Sequence, residues 1–207
     1  FGWQKFSANV GQWLIAGLLV VAVSILFGVF SYVVEPSADP YETNPFASMF
    51  SIPAILINFV STLATYLLSA YFYRGALDEA EGRKFDIGST MSRVPLGPAL
   101  LTSLLVSVGT TIGMILCFLP GIIFGFLAWF SLLFVIDKGL DPIAAITASI
   151  NLIWKNIGQT LLFGLLAIVV IIAGACLCGL GLFVAYPVTL IATAYTYKKL
   201  QNEPVAS

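Results

Sequence analysis

Long apolar runs alternate with short polar breaks along the chain, and the runs are too long for half-buried strands. A helix rises about 1.5 Å per residue, so roughly 20 residues cross an apolar layer about 30 Å thick. On that measure six runs stand out, at residues 13–34, 49–73, 99–119, 122–136, 161–177 and 179–197. The fourth has only 15 residues, which predicts little tilt, longer neighbours or an extension at one end. Pro120-Gly121 and Gly179-Leu180-Gly181 separate consecutive runs and read as tight turns. The pattern predicts an all-α membrane protein, a single integral domain over 1–207 with six transmembrane helices in three hairpins.

Between the runs the pattern turns amphipathic. Asp141-Pro142 reads as a helix cap followed by proline at the first helical position. Ile143, Ile146, Ile150, Ile153 and Trp154 then recur at helical spacing, while Thr147, Asn151 and Lys155 line another face. This predicts an interfacial helix over 141–156, lying in the headgroup plane and handing the chain to the next span at Gly158. Residues 1–9, with Trp3, Lys5 and Phe6, suit the same role before the first span, and 85–98 form a weaker version before the third. The polar stretch 74–84, mixed in charge, reads as a solvated helix end.

An internal repeat emerges at an offset of 147. Asn9, Gly11, Gln12, Leu14, Gly17, Leu18 and Leu19 recur as Asn156, Gly158, Gln159, Leu161, Gly164, Leu165 and Leu166. The ends of the second and sixth runs also match, Ala70-Tyr-Phe-Tyr-Arg74 against Ala194-Tyr-Thr-Tyr-Lys198. An even number of spans separates the partners, so a true repeat is parallel, and the alternative is similarity of composition alone.

Charge gives the orientation. With the N-terminus inside, all nine basic residues fall on the cytoplasmic side: Lys5, Arg74, Arg83, Lys84, Arg93, Lys138, Lys155, Lys198 and Lys199. The first outer loop holds Glu35, Asp39 and Glu42 and no base. The expectation is a multi-pass protein of a bacterial plasma membrane with both termini cytoplasmic. The apolar run after Lys5 is long enough to span and lacks a small-residue cleavage site, so it reads as a span rather than a signal peptide. The chain begins at Phe1, which leaves room for a preceding segment.

Composition agrees with lipid as the solvent. Of 207 residues 59% are hydrophobic and 9% charged, against roughly 25% charged in soluble domains, and mean hydropathy is +1.01. Net charge is −1 and no basic stripe follows a phosphate backbone, which argues against nucleic acid as a partner. The chain has no histidine, which removes imidazole ligation and Ser-His-Asp chemistry. Cys117, Cys176 and Cys178 fall near span ends, where an outer disulfide and buried free thiols are both open, and they do not form a metal set. No metal or cofactor is expected.

Charged residues are absent from the middle of every run, which argues against a proton-coupled transporter. Small polar residues such as Asn58, Ser61, Thr62, Thr65, Ser103, Ser107, Thr110 and Thr111 suit hydrogen bonds between helices. Gly109-x-x-x-Gly113 and Gly121-x-x-x-Gly125 permit close helix packing, within the chain or with a partner. Pro53 and Pro187 each remove a backbone donor, and the bend either shapes the bundle or opens a cavity. Tyr66, Tyr71, Tyr73, Trp129, Phe130, Tyr186, Tyr195 and Tyr197 suit interfacial belts or packing, and a quinone or lipid site would need some of them to converge.

The stretch LPGIIFGFLAWFSLLFVIDKGLDPIAAITASINLIWKN resembles a broad group of bacterial six-span membrane proteins of poorly defined function, related to the membrane domain fused to some glycerophosphodiesterases. The likeness lies in the Pro-Gly pair, the apolar span, the acidic-glycine step and the segment Ala145-Ile146-Thr147-Ala148-Ser149, with a shifted serine, and covers mainly residues 117–166. Actinobacterial members look similar and carry Pro-rich or Gly-rich N-terminal tails. One type is an accessory factor of the fused cytochrome bcc and aa3 oxidase assembly.

The resemblance implies a non-catalytic accessory or assembly subunit, with membrane lipids and other integral membrane subunits as partners, most specifically those of a respiratory supercomplex. The alternative is a transporter or lipid-handling protein with a cavity between the hairpins. An enzyme ranks third, because the acids lie in loops and no nucleophile has a base beside it.

Overall fold

Asn9 and Asn156, the matched residues of the repeat, both stand where a short helix hands over to a long one. The computed structural model describes residues 1–34, 52–116, 118–176 and 181–206, apart from the side chains of residues 31, 32, 34, 52–56 and 58. These are helices α1 (Gly2–Ala8), α2 (Val10–Val34), α3 (Ile52–Ala80), α4 (Ile87–Met91), α5 (Leu96–Leu116), α6 (Phe118–Leu127), α7 (Ser131–Lys138), α8 (Pro142–Lys155), α9 (Ile157–Cys176) and α10 (Leu182–Leu200). No strand occurs among the described residues.

Three short helices, α1, α4 and α8, each precede a long one. Asp86 caps α4 by accepting from the Ser89 N–H at 2.9 Å, and Asp141 caps α8 by accepting from the Ile143 N–H at 3.2 Å, with Pro142 following. Asn9 has φ −141° and ψ 37°, Asn156 φ −124° and ψ 34°, and each donates its N–H to a carbonyl three residues back, Phe6 or Ile153, at 3.0 Å.

Four stretches are long and apolar enough to cross a membrane: Val10–Phe30, Leu96–Leu116, Phe118–Lys138 and Ile157–Cys176. The second and sixth expected runs fall on α3 and α10, which pack on each other and end in charged turns. The short fourth run is resolved by extension at both ends into a 21-residue stretch made of α6 and α7.

That extension moves the expected turn. Pro120 and Gly121 do not form a turn between the third and fourth runs; they stand in the first turn of α6, which begins at Phe118. A proline in a first turn loses no intrahelical bond, so it starts this helix instead of breaking it. Pro53 likewise falls in the first turn of α3 and has no ladder bond to remove there. Pro187 lies inside α10 and is buried.

The stretch 118–138 is interrupted at residues 128–130. The Trp129 and Ser131 N–H groups donate to carbonyls three residues back, Phe126 at 3.2 Å and Ala128 at 3.0 Å. The freed Phe130 N–H donates to the Ser149 hydroxyl of α8 at 3.0 Å, and that hydroxyl donates to the Leu127 carbonyl at 2.8 Å. A buried serine thus satisfies both backbone groups left over at the break.

Candidate functional site

At one end of the bundle the charged residues form a packed layer. Segment 74–84 is not a solvated helix end: α3 continues to Ala80, and Asp78 and Glu79 within it are buried. Tertiary partners, which local sequence does not reveal, make this burial tolerable. Arg93 grips Asp78 with two bonds, Nη1 to Oδ1 at 2.8 Å and Nη2 to Oδ2 at 2.7 Å. Arg83 and Arg74 donate to Oδ1 at 3.1 and 3.2 Å, and the Thr90 hydroxyl to Oδ2 at 3.3 Å. Glu79 accepts from the Asn9 side chain at 2.9 Å and the Phe85 N–H at 3.0 Å, which fixes the start of α2 to the end of α3.

A second group joins it. Lys198 of α10 contacts Asp137 at 2.7 Å, Glu203 at 3.0 Å and Glu81 at 3.2 Å. Glu81 also pairs with Arg83, Glu203 with Lys138, and the Tyr197 hydroxyl donates to Asp137 at 3.1 Å. Partial burial works against the Glu203 charge, but Lys138 and Lys198 outweigh it and hold the carboxyl below its ordinary range. The Asp86 carboxyl is also held low, by the Ser89 backbone N–H and then the Ser89 hydroxyl. The expectation that acids lie only in loops is therefore corrected: Asp78 and Glu79 belong to α3 and Asp137 to α7.

Beyond this layer α2 stands off from α3 and α10 and leaves a crevice of about 340 Å³. Trp13, Gly17 and Val21 form one wall, Phe72 the floor, and Phe183, Tyr186 and Pro187 the other wall. Gly17 makes room for the Phe183 ring, which comes within 3.1 Å of where a Cβ would stand. Pro187 has no N–H to give the Phe183 carbonyl one turn back, so that oxygen lacks its usual helical donor. A second compartment of about 330 Å³ shares Val20, Phe72 and Tyr186 and adds hydroxyls from Ser24, Ser61, Thr65 and Ser69.

Two features make the crevice receptive. Val21 and Tyr186 are 38% and 43% exposed, so it opens on the flank of the bundle. Trp13 is fully buried, packed with its ring centre 4.6 Å from Phe85 and 6.5 Å from Phe72, yet its indole N–H has no acceptor among the described residues. An unpaired buried donor costs about 1–3 kcal/mol, and this one belongs to a residue that lines the crevice. Sequence reading placed Trp13 only as the first residue of a run, and no local signal marks its N–H as orphaned.

The other expected residues are placed as follows. Gly109, Gly113, Gly121 and Gly125 all meet within the chain, where α5 and α6 run antiparallel in contact. A Cβ on Gly113 would fall 2.8 Å from the Gly121 Cα, one on Gly109 would fall 2.6 Å from the Phe124 ring, and one on Gly125 would lie at an ordinary 3.6 Å from Thr110. In α8 the five apolar residues do not share one environment. Ile143 and Trp154 are exposed, Ile146 and Ile150 half-buried, and Ile153 buried with Pro142, Ala145 and Ser149. Small residues let α8 approach the break in 118–138 closely, so they and not the isoleucine stripe set its packed face.

Ser61, Thr65 and Ser69 bond carbonyls four residues back in their own helix, in place of the expected bonds between helices. Cys176 is exposed and unbonded among the described residues, while Cys117 and Cys178 lie outside them. The described residues hold no cluster of three or more potential metal-ligating side chains.

The chain is 30% identical over 220 aligned positions to the uncharacterized protein Rv2560 of Mycobacterium tuberculosis, an alignment covering 99% of this chain and 68% of the relative. The uncharacterized protein Mb2590 of Mycobacterium bovis matches with the same identity and coverage. No family model matches. No solved structure matches significantly.

Proposed function

We propose that this chain, which belongs to the family of mycobacterial proteins represented by Rv2560 and Mb2590, is a lipid-handling protein of the bacterial plasma membrane. Its crevice takes the ester and upper-chain region of a membrane lipid. The observation that carries this reading is the buried Trp13 N–H without an acceptor, at the wall of an apolar crevice that opens sideways. An ester carbonyl supplies the acceptor and an acyl chain fills the apolar volume.

In this reading six passes cross the bilayer in three hairpins: α2, α3, α5, α6 with α7, α9 and α10. The charged layer and both termini lie on the cytoplasmic side, because the lysines and arginines gather at that end. Helices α1, α4 and α8 rest in the inner headgroup plane, where the exposed Trp3 and Trp154 act as anchors.

The test is lipid retention. Protein purified in mild detergent and extracted is expected to yield a stoichiometric lipid, and Val21→Trp, which blocks the mouth without touching the core, is expected to lose it. Lipid-free protein, or a variant that retains the same lipid, would overturn the reading.

A second reading is favoured by the uncovered flanks of α2, α5 and α9, whose apolar residues such as Ile25, Ile112 and Val169 are 59%, 53% and 62% exposed. Other integral subunits could cover them, which makes the chain a non-catalytic accessory subunit. The resemblance to the six-span bacterial group points to a cytochrome bcc-aa3 supercomplex. Co-purification of cytochrome subunits in mild detergent supports this second reading, and isolation of the chain alone counts against it.

A further inference from the structure

We propose that the cavity between α3, α5 and the break in 118–138 is a separate binding site for the uncharged, hydroxyl-bearing headgroup of a glyceride. The cavity holds about 240 Å³, and its lining shares no residue with either compartment of the α2 crevice. The proposal therefore stands independently of the crevice reading.

The argument starts from Ser131. This residue is 1% exposed, lines the cavity, and its hydroxyl has no hydrogen-bond partner among the described residues. A helical serine ordinarily disposes of its hydroxyl on a carbonyl three or four residues back. For Ser131 these are Ala128 and Leu127. The first accepts the Ser131 N–H at 3.0 Å and the second the Ser149 hydroxyl at 2.8 Å, and the Ser131 hydroxyl bonds neither. Beside the break that Ser149 repairs, a cavity-lining serine thus keeps a hydroxyl without a partner among the described residues.

Its neighbours are in a related state. Ser103, Ser107 and Tyr66 also line the cavity, and none makes a hydrogen bond with a described residue. Thr102 beside them bonds the Pro98 carbonyl at 2.8 Å, so back-bonding is available on α5 and these serines do not use it. Each hydroxyl offers one donor and two acceptor lone pairs, so a group that both donates and accepts, such as another hydroxyl, complements several of them better than a lone carbonyl, which only accepts.

Charge selects against other amphiphiles. Among the described residues no carboxylate, lysine or arginine lines the cavity, so a phosphate or ammonium group would be desolvated there without a counter-charge. Tyr66 and Trp129 supply flat apolar surface for the glycerol backbone. Ser103 and Ser107 are half-buried, and next to them on α5 Leu104 and Val108 are 40% and 48% exposed, so a chain leaving the cavity meets apolar helix surface at once. Those features together specify a small hydroxylated head with an apolar tail.

The experiment titrates the purified full chain in detergent with dioctanoylglycerol and with dioctanoyl phosphatidic acid, counting bound molecules by native mass spectrometry. Dioctanoylglycerol is expected to bind, and the phosphatidic acid to bind at least tenfold more weakly at this site. Ser131→Ala is expected to weaken dioctanoylglycerol binding about five- to tenfold, the equivalent of one hydrogen bond. Its melting temperature without lipid should be unchanged or raised, because the hydroxyl it removes has no partner to lose. Ser107→Leu, which fills the cavity, is expected to abolish binding, whereas Val21→Trp in the other crevice leaves it intact. Binding indifferent to both Ser131→Ala and Ser107→Leu, equal binding of the charged analogue, loss through Val21→Trp, or no uptake at all would each overturn the proposal.

Discussion

The first unit of the chain, α1 to α3, and the last, α8 to α10, share a backbone plan and differ in what anchors it. Asn9 and Asn156 make the same bend. Phe6 and Ile153 are buried one turn before it, and Trp13 and Thr160 are buried one turn after it. Gly17 and Gly164 each lie under an aromatic ring, Phe183 or Trp129, 3.1 Å from where a Cβ would stand. The polar groups diverge. Asn9 donates to Glu79 at 2.9 Å and to the Phe85 carbonyl at 2.8 Å, whereas Asn156 donates to Leu152 of its own helix at 2.9 Å. Thr160 spends its hydroxyl on the Asn156 carbonyl at 3.1 Å, while Trp13 leaves its N–H unpaired beside the crevice. At the bend, the last unit keeps its polar groups within its own segment, whereas the first is tied to the charged layer through Asn9 and leaves Trp13 unpaired beside the crevice.

That contrast is broken most severely at the layer itself. Asp78→Asn leaves three arginines around an uncharged amide, and removing one partner of a buried ion pair costs about 3–5 kcal/mol. The expected outcome is a large fall in the detergent unfolding midpoint, and a variant that melts like the parent would detach the layer from the stability of the first unit.

The bend residues sharpen the comparison directly. Asn9→Ala removes a bond to a buried carboxylate and is expected to cost about 1.5–3 kcal/mol, against about 1 kcal/mol or less for Asn156→Ala. Equal losses in denaturant titrations of the two variants would contradict the asymmetry.

Ser149→Ala tests how the last unit docks. It strips the Phe130 N–H and Leu127 carbonyl of their partner and should cost about 1–3 kcal/mol. The reverse substitution at the matched position, Gly2→Ser, adds a Cβ 2.6 Å from the Val188 carbonyl and is expected to lift α1 from α10, read as faster proteolysis at the N-terminus.

The smallest effect is that of acid. Because the Glu203 carboxyl is held below its ordinary value of 4.5, its contribution is complete above that pH and is lost as pH falls through the lower folded value. Melting temperatures from pH 7 to pH 4 should therefore hold until about pH 4.5 and then decline more in the parent than in Glu203→Gln. The difference stays within about 1 kcal/mol because the pair is partly exposed.

Much of the helical plan is legible in the residues. Asp141-Pro142 marks the start of α8, and the Asn-x-Gly-Gln repeat marks both bends, because caps and bends depend on neighbours in sequence. Pro120 misled for the same reason: a proline after an apolar run reads as an end, and only the structure shows that it stands in the first turn of α6. The burial of Asp78 and the unpaired hydroxyl of Ser131 were not read from the sequence. Arg74 and Arg83 stand near Asp78 in the chain, but the two-bond grip comes from Arg93, fifteen positions away, with Thr90 beside it.

By itself the sequence determined the solvent and the elements: too little charge to coat a globule, runs long enough to cross lipid, and bends that recur after 147 residues. Tertiary structure alone decided which polar groups find partners. A hydrogen bond or ion pair is settled by geometry within about 3 Å, which separation along the chain does not encode. Hence the layer around Asp78, the serine that mends a broken helix, and the two cavities with unspent donors came into view only when the helices were packed.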